Sequence, residues 1–138
     1  MEIGQSRTWA EIDLSALEHN YHLLRSMLPD TCKLLAPVKA DGYGHGAVAV
    51  AKRLETLGAD YLAVAYLEEG IELRQAGIAL PILILGRTDP CRTSELLRYQ
   101  ITQSVCCEED AKGYSEAALS QGQRLRVHIK ADTGMHRL

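Results

Sequence analysis

The sequence predicts an α/β fold built on a parallel sheet. Three observations carry that expectation. Short, nearly continuous apolar runs recur along the chain, KLLAPVK, YLAVAY and PILIL among them, and such runs suit strands buried on both faces. Longer stretches between them space their apolar residues as helices do and end at glycine; strands alternating with helices through short loops are the mark of βαβ units. The strand starts Lys33, Tyr61, Pro81, Thr102 and Leu125 lie 28, 20, 21 and 23 residues apart. That near-regular period suits a (β/α)8 barrel or an open doubly wound sheet, and the pattern alone does not choose. A closed barrel takes about 250 residues, whereas this chain has 138. Any barrel would be present only as a portion.

The elements follow in order. Thr8 to Leu14 alternates like a strand. Ser15 then reads as a helix N-cap, with Glu18 three residues on as its capping-box partner. Leu17, Tyr21, Leu24 and Leu28 keep helical spacing until Pro29-Asp30 stops it. Lys33 to Lys39 is a buried-strand candidate, and the glycine-rich turn Gly42 to Gly46 leads into a helix over Ala47 to Leu57, stopped by Gly58. Strand Tyr61 to Tyr66, helix Glu68 to Ala76, strand Pro81 to Leu85, helix Thr93 to Arg98, strand Thr102 to Cys106, helix Glu108 to Leu119 and strand Leu125 to Lys130 complete the series. No linker or low-complexity stretch interrupts it. The last strand has no covering helix before Leu138, which again points to an incomplete domain.

Composition narrows the function classes. Apolar residues make up 46% and charged residues 24%, an ordinary globular balance. The net charge of −3 and the lack of a Lys/Arg block argue against a nucleic-acid partner. No apolar run reaches the roughly 18 residues of a membrane span, and the opening MEIGQSRTW lacks the apolar core of a secretory signal. Cys32, Cys91, Cys106 and Cys107 have neither C-x-x-C nor zinc spacing, so reduced thiols in a cytoplasmic protein are expected. Cys106 and Cys107, if on a strand, would face opposite sides.

The chemistry concentrates in VKADGYGHG, residues 38–46. A lysine at the carboxyl end of an apolar strand sits where α/β folds place reactive groups. Three glycines and a helix start follow, and free N–H groups at a helix start suit a phosphate. A partly desolvated lysine beside such a turn suits a Schiff base with pyridoxal phosphate. A solvated lysine followed by an ordinary turn fits the same residues, and only further motifs separate the two.

Those motifs are present. VKADGYGHG closely resembles the pyridoxal-phosphate attachment motif of alanine racemases. RTWAEIDLSALEHN resembles that family's first strand and helix, LAVAYLEEGIELRQAGIALPILILG its second and third barrel strands, and HIKADTGMHRL the segment closing its fifth strand. The resemblance implies the N-terminal portion of a TIM-type (β/α)8 barrel, about five of its eight strands, with the family's C-terminal β-domain absent from 1–138.

The resemblance also implies roles. Lys39 would bind pyridoxal 5'-phosphate covalently and serve as one of two catalytic acid/bases. Tyr43 would hydrogen-bond the cofactor phosphate, and Leu85 would line its pocket. Arg137 would reach the substrate carboxylate and the cofactor's phenolic oxygen, a task suited to its fixed fork of donors. Lys130 matches a lysine that is often carbamylated, and the resulting anion would orient Arg137; Asp132, Thr133, Gly134 and Met135 match the loop around it. His45 would stabilise the turn, and the other histidines have no ligand spacing, so no metal is expected. Pro37 stands where the family usually has another apolar residue, which predicts weakened pairing of the first strand. The implied activity is interconversion of L- and D-alanine for cell-wall peptidoglycan by a homodimeric enzyme. Its second base, a tyrosine, belongs to the missing domain, so this chain alone is expected to be inactive. A racemase for serine or another small amino acid is the alternative within the fold; a non-catalytic pyridoxal-phosphate-binding barrel is the alternative outside catalysis.

Overall fold

The computed structural model describes residues 8–137. Residues 1–7, read above as carrying no secretory signal, and Leu138 lie outside that range. Among the described residues, five strands form one parallel sheet in the order β1-β2-β3-β4-β5. They are β1 Leu35–Pro37, β2 Tyr61–Val64, β3 Ile82–Ile84, β4 Thr102–Val105 and β5 Val127–Ile129. The chain also forms α1 Leu14–Ser26, the short helical turn α2 Lys39–Gly44, α3 Ala47–Leu57, α4 Leu67–Gln75, α5 Thr93–Arg98 and α6 Glu108–Ser120. Strict sequential order settles the choice that the period left open. A doubly wound sheet reverses its order at a switch point; here every strand adds on the same side, as in a barrel. The result is a barrel portion whose sheet is open.

Two faces of the sheet explain the apolar runs. Leu62, Val64, Ile82 and Ile84 are fully buried in one cluster with Val50, Ala51 and Leu54 of α3, Leu67 and Leu73 of α4 and Leu96 of α5. The alternate residues Tyr61, Ala63, Leu83, Thr102 and Ser104 face the other way, where the Tyr61 and Thr102 hydroxyls meet at 2.7 Å and the His128 ring lies 5.9 Å from that of Tyr61.

The edge where the strands begin is tied by two charged side chains. The guanidinium of Arg74 donates to the carbonyls of Ile78, Leu80, Tyr99 and Gln100 at 2.7–3.2 Å, gathering the loops that enter β3 and β4. Burial pushes its pKa down, although an arginine stays charged in any case. The carboxylate of Glu55 accepts the N–H groups of Ala79 and Leu80.

Four expectations are corrected. Thr8 to Leu14 is not a strand: residues 8–13 have no regular structure and α1 begins at Leu14. Alternation marks a strand only where a neighbour exists to pair with it. The N-cap of α1 is Asp13 rather than Ser15, its carboxylate accepting the N–H groups of Ser15 and Ala16 at 2.8 and 3.2 Å. Glu18 is therefore no capping-box partner and instead pairs with Arg53 of α3 and, at 3.7 Å, with His22. Pro37 does not weaken the pairing of β1. It stands in register with Ala63, and the Val38 N–H donates to the Ala63 carbonyl at 2.8 Å. Successive N–H groups alternate sides, so the one that proline lacks would point to the free edge, where a strand tolerates proline. Cys106 and Cys107 are not strand residues either, since β4 ends at Val105 and Cys107 caps α6. All four cysteines are free thiols, and no described helix is long and apolar enough to cross a membrane.

The loop after β3 is fastened to α6. Arg87 makes a two-pronged pair with Asp110, both contacts at 2.7 Å, and the Tyr114 hydroxyl donates to the Thr88 carbonyl. Burial raises the Tyr114 hydroxyl to about 12, so it remains a donor. The Asp110 side chain is only 8% exposed, and the hydrogen bond from Arg87 holds its carboxyl below the usual value. A carboxyl lowered in the fold contributes stability above its unfolded value and loses it as pH falls through the folded one. Wild-type stability should therefore decline below about pH 4, and Asp110→Asn should flatten part of that decline in denaturation measured across pH. Identical acid profiles would remove this pair from the pH dependence.

Candidate active site

The carboxyl ends of the strands surround a cavity of about 270 Å³ lined by Lys39, Ala65, Leu85, Gly86, Lys130, Met135 and Arg137. Each comes from the residues just past a strand: Lys39 after β1, Ala65 after β2, Leu85 and Gly86 after β3, and the rest after β5. Five residues named from sequence, Lys39, Leu85, Lys130, Met135 and Arg137, thus meet in one place. The lining holds three cationic side chains and no carboxylate. Such a site suits an anionic occupant, and like charges left unbalanced there repel.

Tyr43 is the exception. It is 59% exposed and lines a different, apolar groove with Leu17, Tyr21 and Leu24 of α1. The reason is the backbone that carries it. Ala40, Asp41, Gly42 and Tyr43 all adopt left-handed helical angles, with φ between 52° and 61°. The expected glycine turn is a single turn of left-handed helix, and it swings Tyr43 toward α1. Three of these four residues have side chains. Left-handed geometry costs a non-glycine residue about 1–2 kcal/mol, so the turn stores about 3–6 kcal/mol.

Hydrogen bonds hold the turn in place. The Gly42 N–H donates to the Val38 carbonyl and that of Gly46 to the Asp41 carbonyl, both at 2.9 Å. The Asp41 carboxylate accepts the Ala47 N–H at 2.7 Å and so caps α3, whose N-cap Gly46 has no side chain to do it. His45 Nδ1 lies 2.9 Å from the Gly42 carbonyl and 3.2 Å from that of Tyr43; facing two acceptors, it must carry the proton. The turn-stabilising part expected of His45 is the one its geometry allows.

A carboxylate that sequence reading missed closes the turn from outside. Glu69 Oε1 accepts the N–H of Ala40 at 2.7 Å, and Oε2 accepts that of Ala65 at 2.6 Å. A glutamate in a helix's first turn is ordinary, so nothing in its local sequence marks a link back to residue 40.

The loop before Arg137 is similarly wound round one carboxylate. Asp132 Oδ1 accepts the N–H groups of Gly134 and His136 at 3.0 Å, and Oδ2 meets His136 Nδ1 at 2.8 Å. These bonds hold the Asp132 carboxyl below the usual range. Among the described residues no group of His, Cys, Asp and Glu is arranged to hold a metal.

Fold and cavity together define a (β/α)-barrel unit with a lysine, Lys39, in the cavity just past the first strand. Comparison with known proteins names the family. The model for the alanine racemase N-terminal domain matches residues 12–138, and the chain belongs to that family. It is 47% identical over 131 residues to alanine racemase 2 of Oceanobacillus iheyensis, covering 95% of this chain and 33% of that protein. The structure of a Clostridium difficile 630 alanine racemase in complex with cycloserine superposes with a TM-score of 0.94 at 46% identity, covering 97% of this chain and 37% of that one. A histidine racemase from Leuconostoc mesenteroides subsp. sake superposes at 0.82 with 30% identity, covering 90% of this chain and 33% of that one. The chain spans about a third of the length of these relatives.

Gly86 tests the cavity. A Cβ there would lie 2.5 Å from the Ala65 carbonyl oxygen, a backbone atom that cannot swing aside. Gly86→Ala should push the ends of β2 and β3 apart and lower stability by about 1–3 kcal/mol, the usual cost of forcing extra atoms into a packed site. Unchanged stability in chemical denaturation would show that the strand ends yield there without cost.

Proposed function

We propose that this chain is the lysine-bearing N-terminal part of a pyridoxal-phosphate-dependent alanine racemase. The observation that carries the reading is the convergence of Lys39, Lys130 and Arg137 on one cavity at the carboxyl ends of β1 and β5. The residues present fit the cofactor: a lysine to bind its aldehyde, cations to balance its negative charge, and a glycine wall where the backbone comes close. When bound, pyridoxal phosphate supplies the electron sink that makes the substrate α-proton acidic.

The chain's own residues account for half of the reaction. Lys39 Nζ would hold the cofactor, and the same amine would take or return the α-proton on one face. Arg137 clamps the substrate carboxylate with its planar donors. Lys130 beside it is a second cation; carbamylation of its Nζ by carbon dioxide would turn it into an anion that orients Arg137. Tyr43 reaches the cofactor phosphate in this reading only if its side chain turns away from the α1 groove. The base for the opposite face, a tyrosine in the family, would come from a segment beyond these residues and across a dimer interface. The chain alone then has no way to complete inversion. A cytoplasmic homodimer supplying D-alanine for peptidoglycan is the setting this reading implies. The likeness to a histidine racemase favours keeping one alternative: a racemase for a different amino acid, with selectivity set by later segments.

Borohydride reduction of the intact, cofactor-loaded enzyme should fix the cofactor to the peptide containing Lys39, as peptide mapping would show. A label on any other lysine would sink the proposal.

The carbamate has its own test. Lys130→Ala in the intact enzyme should raise KM for alanine, and added short carboxylic acids should restore part of the loss. Wild-type kinetics without added acid would remove Lys130 from the site.

A further inference from the structure

We infer that Glu69 is a positioning residue for Lys39, acting through the backbone of the left-handed turn. The inference rests on the reading of Lys39 as the cofactor lysine. Its observation is the bridge from one carboxylate to the amides of Ala40 and Ala65, at 2.7 and 2.6 Å. Ala40 directly follows Lys39 and is the first residue of the left-handed run, with φ 52°. Ala65 lines the same cavity as Lys39, just past β2. The two bonds therefore join two of the strand ends that form the cavity.

The chemistry requires a carboxylate. Both of its oxygens only accept, and both are used; a carboxamide of the same size offers one acceptor and turns a donor toward the second N–H. The bond to Ala65 is local and closes the start of α4. The bond to Ala40 spans 29 residues and contributes nothing that α4 needs. What it fixes is the peptide plane between Lys39 and Ala40, from which the lysine Cα hangs. A small rotation of that plane is magnified along the side chain before it reaches Nζ. The turn is also strained, so its amide needs an outside partner to keep this orientation rather than relax to a commoner one. Glycine takes left-handed angles freely. Ala40→Gly should therefore remove the need for the bridge.

The experiment uses the intact enzyme with Glu69→Gln, Ala40→Gly and both together. Three quantities are read: hydrogen exchange of the Ala40 amide in the apoenzyme, the rate of covalent uptake of pyridoxal phosphate by Lys39, and kcat and KM for alanine. Glu69→Gln should raise exchange at Ala40 and slow uptake, each by about tenfold, the change expected for one lost bond to a charged group. The kcat should fall while KM stays within about twofold, because Arg137 is carried by a different loop. Adding Ala40→Gly should bring uptake back to within about threefold of wild type. Wild-type uptake in Glu69→Gln, or a loss that Ala40→Gly leaves untouched, overturns the inference and leaves Glu69 as a cap of α4 alone. Should Glu69→Gln fail to fold, Glu69→Asp, which keeps the acceptors but withdraws them by one methylene, must show the same glycine-dependent loss. If Lys39 takes no label in the unsubstituted enzyme, the functional reading fails; exchange at Ala40 needs no cofactor and still decides whether Glu69 holds the turn.

Discussion

Much of this structure depends on one left-handed turn of backbone. Strand β1 must end with Lys39 in the cavity, and within seven residues the chain must enter α3. Ala40 to Tyr43 accomplish that reversal at positive φ, a conformation that L-residues avoid. Such a segment persists only where its surroundings over-determine it. Val38 and Asp41 hold it from within, and Glu69 holds it from the neighbouring β/α unit. Lys39 is thus set by several weak constraints converging from three elements, rather than by the strand alone.

The fold was largely legible in the chain because its signals are redundant. In β2 and β3 a run of apolar residues, a near-regular spacing and a neighbouring glycine or proline all agree. Residues 8–13 had only alternation to recommend them as a strand, and alternation says nothing about whether a neighbour is there. Asp13 and Ser15 are both good caps; which one wins depends on where the backbone first turns helical. The barrel order became visible only in the register of the sheet.

The lining of the cavity was legible where side chain and motif coincide, as at Lys39, Lys130 and Arg137. It was not legible where backbone geometry decides. Glycine is the usual sign of a left-handed residue, yet Ala40, Asp41 and Tyr43 adopt that shape beside Gly42, so the direction of Tyr43 could not be foreseen. Glu69 was hidden for the opposite reason, since its acidic position in α4 has an ordinary explanation. The cations of the cavity present a further economy. Asp132, the nearest carboxylate in sequence to Arg137, is wholly engaged by Gly134 and His136, which leaves charge balance in the cavity to whatever binds there.

The strictly sequential order of the sheet bears on how the chain is made. Each strand pairs with the one synthesised immediately before it, so no segment leaving the ribosome must wait for a distant partner. At translation rates of about 5–20 residues per second, a new strand emerges roughly every one to six seconds. Helix and hairpin-scale events are over in microseconds. The growing sheet can therefore add each β/α unit to a surface already in place, at the edge opposite the free edge of β1.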